Sequence, residues 1–162
     1  MKGQDKAKDK GLLIKATNRK ALHDFDIDER LEAGIVLLGS EIKSIRESRA
    51  SLRDAYAAVE DGEVFLHGMN VPPWQASTAF SHEPTRPRKL LLHGDQIKRL
   101  TGKLNEKGYT LVALRLYIRN GRAKVELGLA KGRRQYDKRR ELARRDAERE
   151  MAKVVRRTER GG

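Results

Sequence analysis

The 162-residue sequence contains no cysteine. Disulfide bridges and thiolate metal sites are therefore excluded. Proline occurs only four times, at Pro72, Pro73, Pro84 and Pro87, all within one stretch. Aromatic residues make up 5% of the chain and hydrophobic residues 38%, which allows only a modest core. No apolar run approaches the length needed to cross a bilayer, and the opening MKGQDKAKDKG has no signal-peptide core. The expectation is a soluble, cytoplasmic, monomeric chain with one domain and solvated ends.

Positive charge is what the sequence has in excess. Its 36 Lys and Arg outnumber 23 Asp and Glu, giving a net charge of +13. Such a balance points to a polyanionic partner. Residues 131–162 carry 13 basic and 6 acidic side chains, a net +7 in a short tail. That leaves +6 for the preceding 130 residues, from 23 basic and 17 acidic side chains. A membrane surface would need large apolar residues opposite these charges, and the tail has no aromatic after Tyr136. Nucleic acid is the expected partner, with no membrane.

The body reads as strands. Asp61-Gly62 and Asn120-Gly121 each separate two apolar runs, the signature of a tight hairpin turn. The second turn sets a register in which Arg119 faces Arg122, Tyr117 faces Lys124, Leu116 faces Val125 and Arg115 faces Glu126. Carried outward, that register pairs Leu114 with Leu127 and Val112 with Leu129. It predicts one apolar face and one basic, tyrosine-bearing face. Two short helices are predicted: one starting at an Ser40 cap with Ile42 and Ile45 on one side, and one from an Asp95 cap. The second has an Ile97, Leu100 and Leu104 stripe and stops at Gly108. Short strands with two or three short helices predict a mainly β fold, a small OB-like antiparallel β-barrel over residues 16–130. A flat α+β sandwich is the alternative. Residues 1–15 are expected to be disordered. Residues 131–162 form a basic tail expected to be disordered when free and helical when bound, since Leu142, Ala147, Met151 and Val154 or Val155 fall at helical spacing.

Five ordered blocks then carry a resemblance: NRKALHDF (18–25), EAGIVLLGSEIKSIR (32–46), TRPRKLLLH (85–93), GYTLVALRLYIRNG (108–121) and KVELGLAKGRRQYDKR (124–139). The chain resembles the SsrA-binding protein (small protein B) family, over nearly everything after the first fifteen residues. The resemblance implies an OB-like barrel that binds the tRNA-like domain of transfer-messenger RNA. With elongation factor Tu, that complex enters ribosomes stalled on mRNA lacking a stop codon, in the process of trans-translation. It implies that the tail becomes helical in the empty mRNA channel beside the decoding centre of the small subunit.

The resemblance also assigns residues, each with a plainer reading beside it. Asn18 is implied as an RNA contact, and from the residues alone reads equally as a turn cap. Glu32 is implied to accept from exposed base N–H groups; alternatively it orders nearby arginines or pairs with Lys20. Three leucines before a helix cannot all face inward, so Leu92 is expected to present apolar surface while Leu90 and Leu91 are buried. Lys124 is expected to meet phosphate, and Tyr117 to stack or bond a ribose on the same outward face. Arg19, Lys20, Arg86, Arg88 and Lys89 are expected as phosphate contacts, as any basic loop would be. In the tail, Gly132, Tyr136, Asp137, Lys138 and Arg139 match the family's decoding-centre segment.

No phosphate-cradling GxxxxGK[ST] is present, and the four histidines show no metal-ligand spacing. The chain is read as a binding protein without cofactor, metal or catalytic residues. A nuclease built on His23-Asp24 or His82-Glu83 is the weaker rival. A general OB-fold RNA-binding or ribosome-associated protein is the stronger one, and selectivity among RNAs separates it from the family reading.

Overall fold

The computed structural model describes residues 11–74 and 82–160, with the side chains of 134–141 and 157–160 left undescribed. Both Xaa-Gly turns form as expected: Asp61 and Asn120 have φ near 51°, and Gly62 and Gly121 have φ of 76°. These paired positive-φ residues match the right-handed twist of the flanking strands, so each turn fixes a hairpin.

The strands are β1 (Leu12–Thr17), β2 (Phe25–Ile35), β3 (Tyr56–Glu60), β4 (Glu63–His67), β5 (Arg88–Leu91), β6 (Tyr109–Arg119) and β7 (Arg122–Gly132). All pairings are antiparallel, in the order β1-β6-β3-β4-β5-β2-β7, with a further β6–β7 pairing. That last pairing closes β6, β3, β4, β5, β2 and β7 into a ring, with β1 added along the end of β6. Closure rules out the flat sandwich. The four helices of the described residues are α1 (Arg19–Asp24), α2 (Gly39–Arg46), α3 (Gly94–Leu104) and α4 (Arg133–Arg160).

The ring encloses the main core, including Leu31, Ala33, Val64, Leu66, Leu90, Leu111, Leu116, Val125 and Leu127. Helix α3 covers it with the expected stripe: Leu100 is fully buried, and Ile97 and Leu104 pack partly against it. Helix α2 contributes Ile45.

Several boundaries and registers depart from expectation. The register of β6 and β7 holds from Arg119–Arg122 to Arg115–Glu126, then slips by one. Leu114 is a bulge, so Ala113 faces Leu127 and Leu111 faces Leu129. A bulge inverts the alternation beyond it. Val112, Leu114 and Ala130 thus point to the outer side, where Ala21 of α1 covers them in a second small core. The outer face is therefore not polar throughout. Gly128 makes this possible, because a Cβ there would lie 2.9 Å from Leu114 Cδ1 and 3.3 Å from Ile27.

Helix α2 is not capped by Ser40. Its N-cap is Leu38, whose N–H donates to Glu41 Oε1 at 2.8 Å. In α3 the cap is His93, whose N–H donates to Gln96 at 3.1 Å, and Asp95 sits in the first turn instead. That helix ends at Leu104, and Gly108 serves the following turn at a φ of 87°. Strand β1 begins at Leu12, inside the segment expected to be disordered, and β7 runs past residue 130 to Gly132. The tail is drawn into one helix, α4, with Leu142, Met151, Val154 and Val155 exposed along it.

One buried ionic cluster joins the pieces that local pattern does not. Glu41 and Arg88 are fully buried. Arg88 donates to Glu41 at 2.5 Å and to the carbonyls of Met69, Arg86 and Pro84 at 2.9–3.1 Å. Arg86 donates to both oxygens of the same carboxylate. Burial works against ionisation of Glu41, but hydrogen bonds from Arg86, the Leu38 N–H and Arg88 outweigh it and hold its carboxyl below the ordinary value. A carboxyl lowered on folding adds stability above its unfolded value, and that stability is lost as pH falls through the lower folded value. Glu41→Gln should therefore destabilise the chain by about 3 kcal/mol at neutral pH, by leaving buried arginine unpaired. Urea unfolding of both proteins across the acid range checks this. The gap should narrow as pH drops below the usual carboxylate range, and a pH-independent gap would contradict the assignment.

Candidate nucleic-acid interface

The outer face of the ring is ordered in rows. Cross-strand pairing lines up Leu91 of β5, Gly34 of β2, Lys124 of β7, Tyr117 of β6 and Ile14 of β1. Glu32, Glu126 and Arg115 form the row on one side, and Arg122 and Arg119 lie on the other. Directly opposed Glu32 and Glu126 would repel. Each is neutralised separately: Glu126 by Arg115 at 2.8 Å and Arg30 at 3.2 Å, and Glu32 by Arg119 at 2.8 Å.

Tyr117 is not presented as expected. It is 3% exposed, with Arg115 and Arg119 guanidinium groups 5.9 and 5.7 Å from its ring centre, and its hydroxyl donates to Glu32 Oε2. Burial, reinforced by the Glu32 carboxylate, pushes the phenol up. It stays a proton donor and fixes Glu32 rather than offering a face for stacking. Glu32 thus orders an arginine, one of the two alternatives, and does not pair with Lys20, which meets Asp54 at 3.2 Å.

The three leucines sort differently from the expectation. Leu90 is buried, Leu92 packs partly against the core, and Leu91 is the one presented, at 54% exposure. Gly34 beneath it leaves the space it needs, since a Cβ there would lie 3.2 Å from Leu91 Cβ. Between this row and α2 runs a groove of about 390 Å³, lined by Gly34, Val36, Leu91, Arg46, Arg122 and Lys124 among others.

The expected phosphate contacts divide by partner. Arg88 is buried in the Glu41 cluster and Arg86 is bound to the same carboxylate, so Arg88 cannot reach an RNA and Arg86 is committed. Lys89 pairs at the surface with Glu63 at 3.0 Å, and Lys20 with Asp54. Exposed pairs of this kind are weak and exchange readily with phosphate. Arg19 and Lys124 have no ion-pair partner among the described residues; neither have Arg122, which the hairpin register had placed on the basic face, and Arg46, which sequence reasoning did not single out. Asn18 is a cap: its Oδ1 accepts from the Ala21 N–H at 3.1 Å and its Nδ2 donates to the Ala113 carbonyl at 2.8 Å, at 2% exposure.

Gly132 ends β7, and the first turn of α4 is tied to β2 by Arg133 and Asp26 at 2.9 Å. Tyr136, Asp137, Lys138 and Arg139 lie on the α4 backbone, and their side chains fall outside the described residues. His82 is buried with its Nε2 at 2.7 Å from the Val71 carbonyl and its Nδ1 at 2.9 Å from Ser40 Oγ, so both ring nitrogens are engaged. His23 and Asp24 lie in α1 and touch at 3.0 Å. Among the described residues no cluster of His, Asp and Glu could hold a metal ion, and no helix is long and apolar enough to cross a membrane.

An exposed apolar side chain flanked by a fixed carboxylate and by cations with no ion-pair partner among the described residues is an arrangement chemically suited to an unstacked RNA loop. Comparison with known proteins agrees in kind. A family model described as SmpB protein matches residues 15–157. A relative from Symbiobacterium thermophilum named SsrA-binding protein is 57% identical over 142 residues, covering 87% of this chain and 90% of its own. One of the same name from Halothermothrix orenii is 48% identical over 98% of this chain and 99% of its own. A solved structure, "tmRNA-SmpB: a journey to the center of the bacterial ribosome", superposes with a TM-score of 0.62 at 43% identity, covering 75% of this chain and 84% of that one.

The two leucines give a direct check. Leu91→Ala should weaken binding of a structured RNA about tenfold with little change in melting temperature. Leu92→Ala should do the reverse, lowering stability by about 1–2 kcal/mol because its side chain packs on the core. Calorimetry and RNA titration of both variants would show the opposite pattern if Leu92 were the RNA contact.

Proposed function

The chain belongs to the SmpB protein family, and on that premise we propose that it binds the tRNA-like domain of transfer-messenger RNA and delivers it to stalled ribosomes for trans-translation. The observation that carries this reading is the outer row itself. Leu91 and Lys124 stand beside Arg122 and Arg46, which have no ion-pair partner among the described residues, and Tyr117 and Arg119 hold Glu32 in one orientation. A fixed acceptor beside an apolar residue favours a particular loop shape over phosphate count, which a general RNA binder would follow.

The tail has the second role. Its apolar residues are too few to hold α4 to the ring, and an isolated helix of this kind is marginal in water. It is disordered free of RNA and helical in the mRNA channel beside the decoding centre. There Tyr136 stacks on ribosomal RNA, Lys138 and Arg139 meet phosphates, and Asp137 sets their geometry, with Gly132 as the joint. Delivery involves elongation factor Tu, and the chain acts as a cytoplasmic monomer and a binding protein rather than an enzyme. On the sheet side, Arg19, Lys20 and Lys89 add phosphate contacts, the last two by exchanging their surface carboxylates.

This division predicts separable losses. A chain ending at Gln135 should bind the tRNA-like domain within about threefold of the full chain, since the row lies elsewhere on the ring. It should fail to support tagging of stalled polypeptides in a reconstituted translation system. Parallel loss of binding and tagging would contradict the division.

A further inference from the structure

We infer that Tyr109, Asp26 and Asp28 form a seat for the root of the tail and set the direction in which α4 leaves the ring. The inference rests on the two-part function above. These three are positioning residues, which act through Lys131 and Arg133 and touch no RNA. Strand β7 ends between two neighbours: Lys131 pairs with Tyr109 of β6 on one side and with Asp26 of β2 on the other. Tyr109 spans that end. Its hydroxyl donates to Asp28 Oδ2 at 2.6 Å, so a side chain of β6 reaches one of β2 although β7 lies between the two strands. The Lys131 ammonium lies 4.4 Å from the centre of the Tyr109 ring, within range of a cation–π contact.

A bulge makes Asp28 available for this contact. The β2–β7 register shifts between Ile27 and Glu29, which leaves Asp28 as the extra residue without a partner on β7. Before the bulge, Asp26 takes the guanidinium of Arg133, the first residue of α4, at 2.9 Å. After it, Glu29 takes Arg99 of α3. Three neighbouring carboxylates of β2 thus hold three different elements: the tail, β6 and α3.

Gly132 lies between the two anchored residues. Its backbone is outside the left-handed region and a Cβ there would meet nothing within 4 Å, so neither strain nor close packing requires glycine. What glycine supplies is backbone freedom where strand changes to helix. Lys131 and Arg133, held on either side of it, limit that freedom. The consequence grows with distance from the ring. A 28-residue helix is about 42 Å long, and a tilt of about 20° at its root moves the far end by about 14 Å. Carboxylates beside the most basic segment also weaken its attraction to RNA, which is a cost unless they have another task. Asp26 and Arg133 are each about half exposed, and such a pair adds little to stability. Its contribution is direction.

The test reads direction and function separately, using the full chain bound to the tRNA-like domain. Because the chain has no cysteine, Lys98→Cys and Leu142→Cys can carry two spin labels, one on α3 and one on α4. Asp26→Arg and Tyr109→Phe should each broaden the distribution of label distances, with the melting temperature little changed. Without labels, Asp26→Arg should bind the tRNA-like domain within about twofold of the native chain, since the outer row is untouched. It should tag stalled polypeptides about tenfold less well in a reconstituted translation system. Adding Arg133→Asp to Asp26→Arg restores the pair in the opposite sense and should recover most of that loss, whereas Arg133→Asp alone should not. A native distance distribution in Asp26→Arg would overturn the inference, as would a charge exchange that tags no better than either single variant. So would loss of tRNA-like domain binding in parallel with tagging, which would make Asp26 part of the RNA surface. A native chain that bound the tRNA-like domain but supported no tagging would instead remove the function on which the inference rests.

Discussion

The Glu41 carboxylate is the point on which the arrangement of the outer face depends. It takes the N–H that opens α2 and the guanidinium groups of Arg86 and Arg88. Through Arg88 it reaches the carbonyls of Met69 and Pro84, so α2, the segment after β4, the proline-containing stretch and the start of β5 share one anchor. Two arginines on one fully buried carboxylate contribute little net stability over an apolar core, but any other pairing would leave a charge stranded. The cluster thus selects one arrangement. Its effect at the surface is to set the parity of β5, a strand of only four residues.

That parity explains where the sequence was and was not readable. Both hairpins were legible because Asp61-Gly62 and Asn120-Gly121 can adopt the required positive φ, and the near half of the β6–β7 register followed from the second turn. The far half did not, because the Leu114 bulge adds one residue that periodicity cannot register, leaving apolar residues on both faces. The reading of Arg88 as a phosphate contact and that of Leu92 as the presented leucine are linked. An arginine in TRPRK looks like surface charge, and only its buried partners reveal that it points inward. With Arg88 inside, Leu90 is inside and Leu91 is outside. Likewise, nothing local in the sequence tells that Tyr117, on the outward parity, lies beneath two arginines with its hydroxyl on Glu32.

Sorting cations by partner is more informative than counting them. The net charge of +13 draws the chain to RNA, but it does not say where. Arg88 and Arg86 serve the fold, Arg115, Arg119 and Arg30 neutralise two carboxylates, and the cations with no ion-pair partner among the described residues lie along the groove by α2 and at α1. A carboxylate fixed among arginines, beside one exposed leucine, is a poor general phosphate trap and a suitable reader of loop bases. The tail differs in kind: its charge is dense and its apolar stripe thin, with Leu142, Met151, Val154 and Val155 exposed along α4.

The most direct measurement of this account is competition at near-physiological salt. Labelled tRNA-like domain of transfer-messenger RNA, bound to the full chain, is challenged with an ordinary tRNA and with an unrelated structured RNA of matched length. The account predicts that the complex survives large excesses of both. Displacement by each competitor in proportion to its phosphates would contradict it, and would make the outer row a patch of charge rather than a reader of shape.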